Sequence, residues 1–151
     1  MTPVVVDTNI LFSALLSADG RQRGVLLGAR DARFYCCRFS IVELFKHKQK
    51  LLDLSRLDEG DILEGLSILL ARLTFHDEMS LSRASVAEAA RLCAKVDPKD
   101  TPFVALTLEL GGRLWTGDRV LVRGLRARGF DRFYLPALVP LPAAEIPPGS
   151  A

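Results

Sequence analysis

Cysteine and histidine are scarce in this 151-residue sequence, which holds three cysteines and two histidines. The odd number of cysteines, without any C-x-x-C spacing, argues against a disulfide framework and against a zinc site. Cys36 and Cys37 are adjacent in an aromatic run, so we expect them to pack as small hydrophobic residues. The cysteine usage fits a reducing compartment, and we expect a cytoplasmic protein.

Long apolar runs and a strong charge of one sign are also missing. No stretch has the roughly 18 uninterrupted apolar residues of a membrane span, and Asp7 interrupts the apolar start too early for a signal peptide. We therefore expect no membrane partner. The net charge of +2 does not demand nucleic acid as a partner, although it leaves room for a local basic patch.

Proline is concentrated at the C-terminal end, where five prolines lie between Pro136 and Pro148. Such a segment cannot continue a helix or a central strand. The length of the chain suits one domain. We therefore predict a domain over residues 1–135 and a proline-rich tail over residues 136–151.

Predicted strands alternate with predicted helices along the domain. The strands are predicted at 4–6, 33–37, 73–76, 113–115 and 132–135. The helices are predicted at 10–17, 24–30, 40–52, 58–73, 85–96, 100–110 and 118–129. The alternation predicts an α/β protein, a three-layer α/β/α sandwich with a mostly parallel central sheet.

Acidic residues mark the boundaries of these elements. Asp7 and Asp118 each follow a predicted strand, and Glu43, Asp97 and Asp100 lie near helix starts. Ligands of open parallel sheets bind at the carboxyl ends of the strands, so these acids are expected near one another.

Helix capping is the alternative explanation for each acid alone. Asp7 and Asp118 occupy N-cap positions, and Asp97 precedes a proline at the first helical position. Ser40 and Glu43 match the S-x-x-E pattern of a capping box. The joint pattern favours a metal site, because caps need not share one sheet edge.

Converging carboxylates call for a cation. Two carboxylates ~5 Å apart repel by about 3 kcal/mol at an effective dielectric near 20. A cluster of oxygen ligands suits one or two Mg²⁺ or Mn²⁺ ions and not zinc.

Three segments carry a family resemblance: VVVDTNILFSALL, SIVELFKH and DPKDTPFVALTLELGGRLWTGD. They resemble the acidic motifs of the PIN-domain ribonucleases, which include the VapC-type toxins of bacterial toxin–antitoxin systems. The resemblance runs from Val4 to about Leu135. It implies a quartet of residues that bind metal and catalyse the reaction, and two supporting residues. For Asp97 two roles stay open, a fifth acid of the site and the N-cap of the helix that follows. The quartet is Asp7, Glu43, Asp100 and Asp118, and the supporting residues are Asn9 and Thr116.

The resemblance implies a Mg²⁺- or Mn²⁺-dependent endoribonuclease that leaves 5′-phosphate products. It also implies a homodimer and, for a toxin of a type II pair, a small antitoxin partner. Two alternatives stay open. One is a receiver-like phosphoacceptor domain, although the sequence lacks its paired acids and its lysine after the last strand. The other is a non-catalytic PIN-like RNA-binding scaffold.

Basic residues that could contact RNA fall into two groups. The dense run KHKQK contributes Lys46, Lys48 and Lys50, for which a solvated helix face is the alternative. Arg21, Arg23 and Arg119 lie nearer the predicted sheet edge. We expect Trp115, at the end of a predicted strand, to belong to the core.

Overall fold

The computed structural model describes residues 1–17 and 20–136. Its strands are β1 (Thr2–Val6), β2 (Ala32–Cys37), β3 (Leu73–His76) and β4 (Arg113–Trp115). Its helices are α1 (Thr8–Leu16), α2 (Arg21–Gly28), α3 (Phe39–Lys46), α4 (Lys48–Leu54), α5 (Glu59–Leu70), α6 (Arg83–Cys93), α7 (Thr101–Leu110) and α8 (Arg119–Ala127). Two 3₁₀ turns cover Glu78–Ser80 and Pro98–Asp100. Apart from Pro136, the predicted tail lies outside the described residues.

The four strands form one parallel sheet in the order β3-β2-β1-β4. β1 is central and pairs with β2 on one side and β4 on the other. Its three valines, Val4, Val5 and Val6, are fully buried, as expected for a strand covered on both faces. The run of valines is thus explained by the position of β1 in the middle of the sheet.

Helices cover both faces of the sheet and create two hydrophobic cores. Val4 and Val6 point into a core built with α1, α2, α3, α4 and α5, while Val5 points into a core built with α6, α7 and α8. The alternation follows from the two-residue period of a strand. The predicted three-layer sandwich is therefore confirmed, and the described strands are all parallel.

Three predicted elements differ from the structure. The helix predicted at 40–52 is two helices, because the backbone of His47 leaves the helical region (φ −101°, ψ 15°). No apolar side chain in the stretch 46–50 anchors this turn to the core. The strand predicted at 132–135 is a single parallel bridge between Leu114 and Phe133. The second helix begins at Arg21, earlier than predicted, with Gly20 at its N-cap.

The scarce cysteines and the missing apolar runs have structural counterparts. Cys36, Cys37 and Cys93 are free thiols and are buried in the two cores, so the prediction that Cys36 and Cys37 pack as small hydrophobes is confirmed. Among the described helices, none is long and apolar enough to cross a membrane.

One edge of the sheet collects the chain segments that carry the predicted acids. β1 ends just before Asp7, and β4 ends three residues before Asp118. α3 starts two residues after β2, so its N-terminus lies at the same edge. The fold therefore delivers these acids to the carboxyl ends of neighbouring strands, where parallel sheets bind ligands.

Candidate metal-dependent active site

Asp7 is a buried carboxylate at the end of the central strand, with 6% of its surface exposed. It occupies the N-cap position of α1, yet its side chain makes no capping hydrogen bond. Instead, the hydroxyl of Thr116 donates a 2.7 Å hydrogen bond to Oδ2 of Asp7. Burial raises the pKa of this carboxyl, and the hydrogen bond from Thr116 opposes that rise. The hydrogen bond with Thr116 gives this acid a contact beyond those of a helix cap.

The turn after β4 ties Asp118 to Asp7. The Oγ1 atom of Thr116 accepts a hydrogen bond from the Asp118 amide (3.1 Å) while it donates to Asp7. The Oδ1 atom of Asn9 accepts from the amide of Gly117 (3.3 Å). The hydrogen bonds of Asn9 and Thr116 therefore hold the two acid-bearing segments together.

Asp118 is also the N-cap of α8. Its Oδ1 atom accepts hydrogen bonds from the amides of Val120 (3.0 Å) and Leu121 (3.1 Å). Both capping bonds go to this one oxygen, so the other carboxylate oxygen, Oδ2, is not needed for the cap. The capping and site explanations of this acid are thus compatible.

Glu43 is positioned by a hydroxyl pair that the sequence did not reveal. Thr8 Oγ1 lies 3.0 Å from Oε1 of Glu43 and 3.0 Å from Oγ of the fully buried Ser40. A carboxylate only accepts, so Thr8 donates its one proton to Glu43 and accepts from Ser40. Thr8 stands next to Asp7 in VVVDTN, which is the one sequence signal for its role.

The S-x-x-E capping box, the alternative explanation for Ser40 and Glu43, does not form at the start of α3. α3 begins at Phe39, and its first amides are capped by a distant residue. The carboxylate of Glu78 accepts from the amides of Arg38 (3.1 Å) and Phe39 (3.2 Å). Because Glu78 caps α3, Ser40 and Glu43 are free to face Thr8.

The pKa of Asp100 is raised by burial and by the charges of the other acids. Burial raises the pKa of its half-buried carboxyl to about 7, and the nearby charges of Asp7, Asp97, Asp118 and Glu43 add to the rise. Its side chain makes no capping hydrogen bond at the start of α7. The charges of the other three acids of the predicted quartet therefore all contribute to the raised pKa of Asp100.

Asp97 has a local structural task. Its Oδ1 atom accepts from the amide of Lys99 (3.0 Å), and Pro98 follows it, so it caps the 3₁₀ turn that leads into α7. The predicted cap is therefore present, one short turn before the helix. The charge of Asp97 still contributes to the raised pKa of Asp100.

The donor set fits a hard divalent cation. The quartet offers only carboxylate oxygens, the ligands of Mg²⁺ and Mn²⁺, and the repulsion on Asp100 is of the kind that a cation relieves. Within residues 1–17 and 20–136, no group of three or more His, Cys, Asp or Glu side chains already stands in an arrangement that could hold an ion. Binding would therefore require the carboxylates to reorient.

The residues predicted to contact RNA differ in their exposure and in their interaction partners. Arg23 is buried, with 8% of its surface exposed, and donates to the carbonyl of Ala14 (2.8 Å), so it is not a surface contact. Lys48 is paired with Glu59 (2.9 Å), and the Nζ of Lys50 lies 5.8 Å from the ring centre of Phe12. Arg21, Lys46 and Arg119 are exposed.

Trp115 belongs to the core, as predicted. It is 5% exposed and packs against Phe34 and Tyr134, with ring centres 5.7 Å and 5.6 Å away. It therefore stiffens the sheet beside the acids and offers no stacking surface for a base.

Comparison with known families and structures gives a consistent result. The family model described as the PIN domain matches residues 5–135. Among solved structures, the chain resembles the crystal structure of VapBC2 from Rickettsia felis bound to a DNA fragment from their promoter. The TM-score is 0.58 at 17% identity, and the match covers 77% of this chain and 88% of that chain. A comparison with curated proteins gave no match.

Proposed function

The chain belongs to the PIN-domain family, and from that membership we propose that it is an endoribonuclease dependent on Mg²⁺ or Mn²⁺. PIN domains are typically nucleases, so the family supports a hydrolase that acts on nucleic acid. The proposal goes beyond family membership in two respects: it names RNA as the substrate and Mg²⁺ or Mn²⁺ as the required cation.

The hydrogen bonds that tie Asp7, Asp118 and Glu43 to polar neighbours at one edge of the sheet are the observation that supports this proposal. Asp7 and Asp118 follow neighbouring strands, and the charges of both, with that of Glu43, contribute to the raised pKa of Asp100. Holding such a group together without a cation costs free energy. A structural role for the cluster would not explain why its members are supported by Thr8 and Thr116, each of which orients one carboxylate.

In this proposal Asp7, Glu43, Asp100 and Asp118 would hold the ion or ions. A bound divalent cation would supply an activated water and would neutralise charge that develops on the phosphodiester. The chain itself fixes the carboxylates: Thr116 orients Asp7, and Thr8 orients Glu43. Near neutral pH the raised pKa of Asp100 leaves a proton on part of the population, and that proton must leave for the carboxylate to bind a cation.

Cleavage of end-labelled transfer, ribosomal and messenger RNAs tests the proposal directly. We expect discrete fragments with 5′-phosphate ends in Mn²⁺ and none in EDTA. Asp118→Asn, purified in parallel, controls for contaminating nuclease, since an asparagine Oδ1 can still cap α8. Cleavage that persists in EDTA, or that Asp118→Asn retains in full, would contradict a carboxylate–metal mechanism. Binding of RNA without cleavage would favour a non-catalytic scaffold.

We further propose a small antitoxin as a protein partner and a homodimer as the assembly. The helix that carries Glu43 supports a protein contact, because Ile41, Val42 and Phe45 on α3 are 36%, 54% and 77% exposed. Exposed apolar groups of this kind mark interaction surfaces. Light scattering of the chain alone, and after coexpression with the product of the adjacent gene, would measure both. A monomer that captures no such product would contradict this part of the proposal.

A further inference from the structure

A row of arginines starts beside the acidic site and runs along α8. Arg119, Arg123 and Arg126 are exposed and are spaced i, i+4 and i+7, so they lie on one face of the helix. The opposite face buries Leu121 and Leu125 in the core. With a rise of about 1.5 Å per residue, the row spans roughly 10 Å.

The first two arginines are available to a ligand. Arg126 is engaged within the chain, since its Nε donates to Asp131 (2.7 Å) and its guanidinium lies 5.3 Å from the centre of the Phe133 ring. For Arg119 and Arg123 the described residues provide no ion pair or hydrogen bond. The exposed guanidinium groups nearest to Asp118 in the chain are therefore the free ones.

Arg119 is also poorly placed for helix stability. It occupies the first position of α8, where the helix dipole is positive, and the nearest acid is Asp118, the N-cap before it. The helix dipole does not favour a cation here, and the exposed guanidinium of Arg119 stays available to a ligand. Val120, beside it, is 64% exposed and adds an apolar contact to the same surface.

The acids and the arginines would contribute to the binding of a polyanion in different ways. The carboxylates repel phosphate unless a cation is bound, whereas Arg119 and Arg123 attract it at all times. We propose that Arg119 and Arg123 bind the backbone phosphates that neighbour the cleaved bond of single-stranded RNA, so that α8 sets the direction in which the strand leaves the site. The inference rests on the proposed nuclease function in one respect only, the position of the cleaved bond. Phosphate binding by the two arginines does not depend on it.

Fluorescence anisotropy of a labelled single-stranded RNA tests this inference in EDTA, where no cleavage is expected. The variant is R119E/R123E, and R30E/R33E is the control with the same change in charge. Arg30 and Arg33 are exposed at the opposite end of the sheet, where β2 begins. Melting temperatures verify that both variants fold.

We expect R119E/R123E to weaken RNA binding on the order of tenfold and the control to stay near wild type. The slope of log K against log salt should become shallower by about 0.7 for each phosphate that the variant no longer binds. In Mn²⁺ the same variant should raise KM for RNA and change kcat little.

Equal binding by R119E/R123E and R30E/R33E would overturn the inference. Weaker binding with an unchanged salt slope would overturn it too, because phosphate binding must alter that slope. If R119E/R123E bound RNA as tightly as wild type but no longer bound a protein partner, the inference would be overturned and α8 would be the contact surface for that partner. RNA binding through α8 without any cleavage would refute the nuclease proposal and leave this inference standing.

Discussion

Replacing Asp100 by asparagine should stabilise the metal-free protein at about pH 8. In the folded protein, burial raises the pKa of Asp100 from its ordinary value of 3.8 to about 7, with further contributions from the surrounding acids. The folded state therefore holds the proton more tightly than the unfolded chain does. As the pH rises from about 4 to about 7, ionisation of Asp100 lowers the free energy of unfolding, and above that window the penalty is constant.

The size of the effect follows from the pKa. A rise from 3.8 to about 7 corresponds to about 4 kcal/mol at most. The carboxyl is only half-buried, so solvent screening reduces this value, and we expect about 1–2 kcal/mol. That free energy should raise the melting temperature of Asp100→Asn above wild type by roughly 2–6 °C.

Differential scanning calorimetry at low and high pH in EDTA, and again with Mg²⁺, measures the effect. Mg²⁺ should stabilise wild type and stabilise Asp100→Asn less, since the cation loses a ligand. Asp58→Asn is the matched control, because Asp58 caps α5 away from the site and asparagine caps equally well. The reasoning is refuted if Asp100→Asn melts at or below the wild-type temperature at high pH without metal.

Two further predictions each compare a substitution with a matched control, one at Thr8 for positioning of Glu43 and one at Gly112 for folding. Thr8→Val, which removes the hydrogen bond to Glu43, should lower the RNA cleavage rate by about 10–100-fold, while Thr8→Ser keeps most of it; equal rates would refute a positioning role. Gly112→Ala should cost about 3 kcal/mol or more in urea unfolding, because its Cβ would meet the carbonyl of Pro3 in β1. Gly24→Ala, with open space around the added Cβ, should be neutral or stabilising, and a similar loss of stability in both variants would contradict the steric argument.

The sequence predicted those parts of the fold and site that depend on local signals. Asp7 and Asp118 were located because a buried strand precedes each of them, and the shared sheet edge follows from parallel pairing. The helix ending at Gly111 was recognised because glycine adopts the left-handed conformation seen there (φ 60°). These features need only a few neighbouring residues.

The features that the sequence missed depend on contacts between distant residues. The S-x-x-E pattern suggested a local cap for α3, whereas Glu78 supplies the cap from 40 residues beyond Arg38. Ser40 then becomes the buried partner of Thr8, 32 positions away. Arg23 looked like a surface cation, yet the packing of α2 against α1 buries it against the carbonyl of Ala14. No local pattern contains this information.

The rate of Mn²⁺-dependent RNA cleavage by wild type and by Asp7→Asn tests the central claim most directly. Asparagine can still accept the hydrogen bond from Thr116, and the side chain of Asp7 makes no capping bond, so the fold should be retained. We predict cleavage by wild type, loss of cleavage in Asp7→Asn, and matching circular dichroism spectra for the two. Full Mn²⁺-dependent cleavage by a folded Asp7→Asn would contradict the assignment of these carboxylates to a metal-dependent active site.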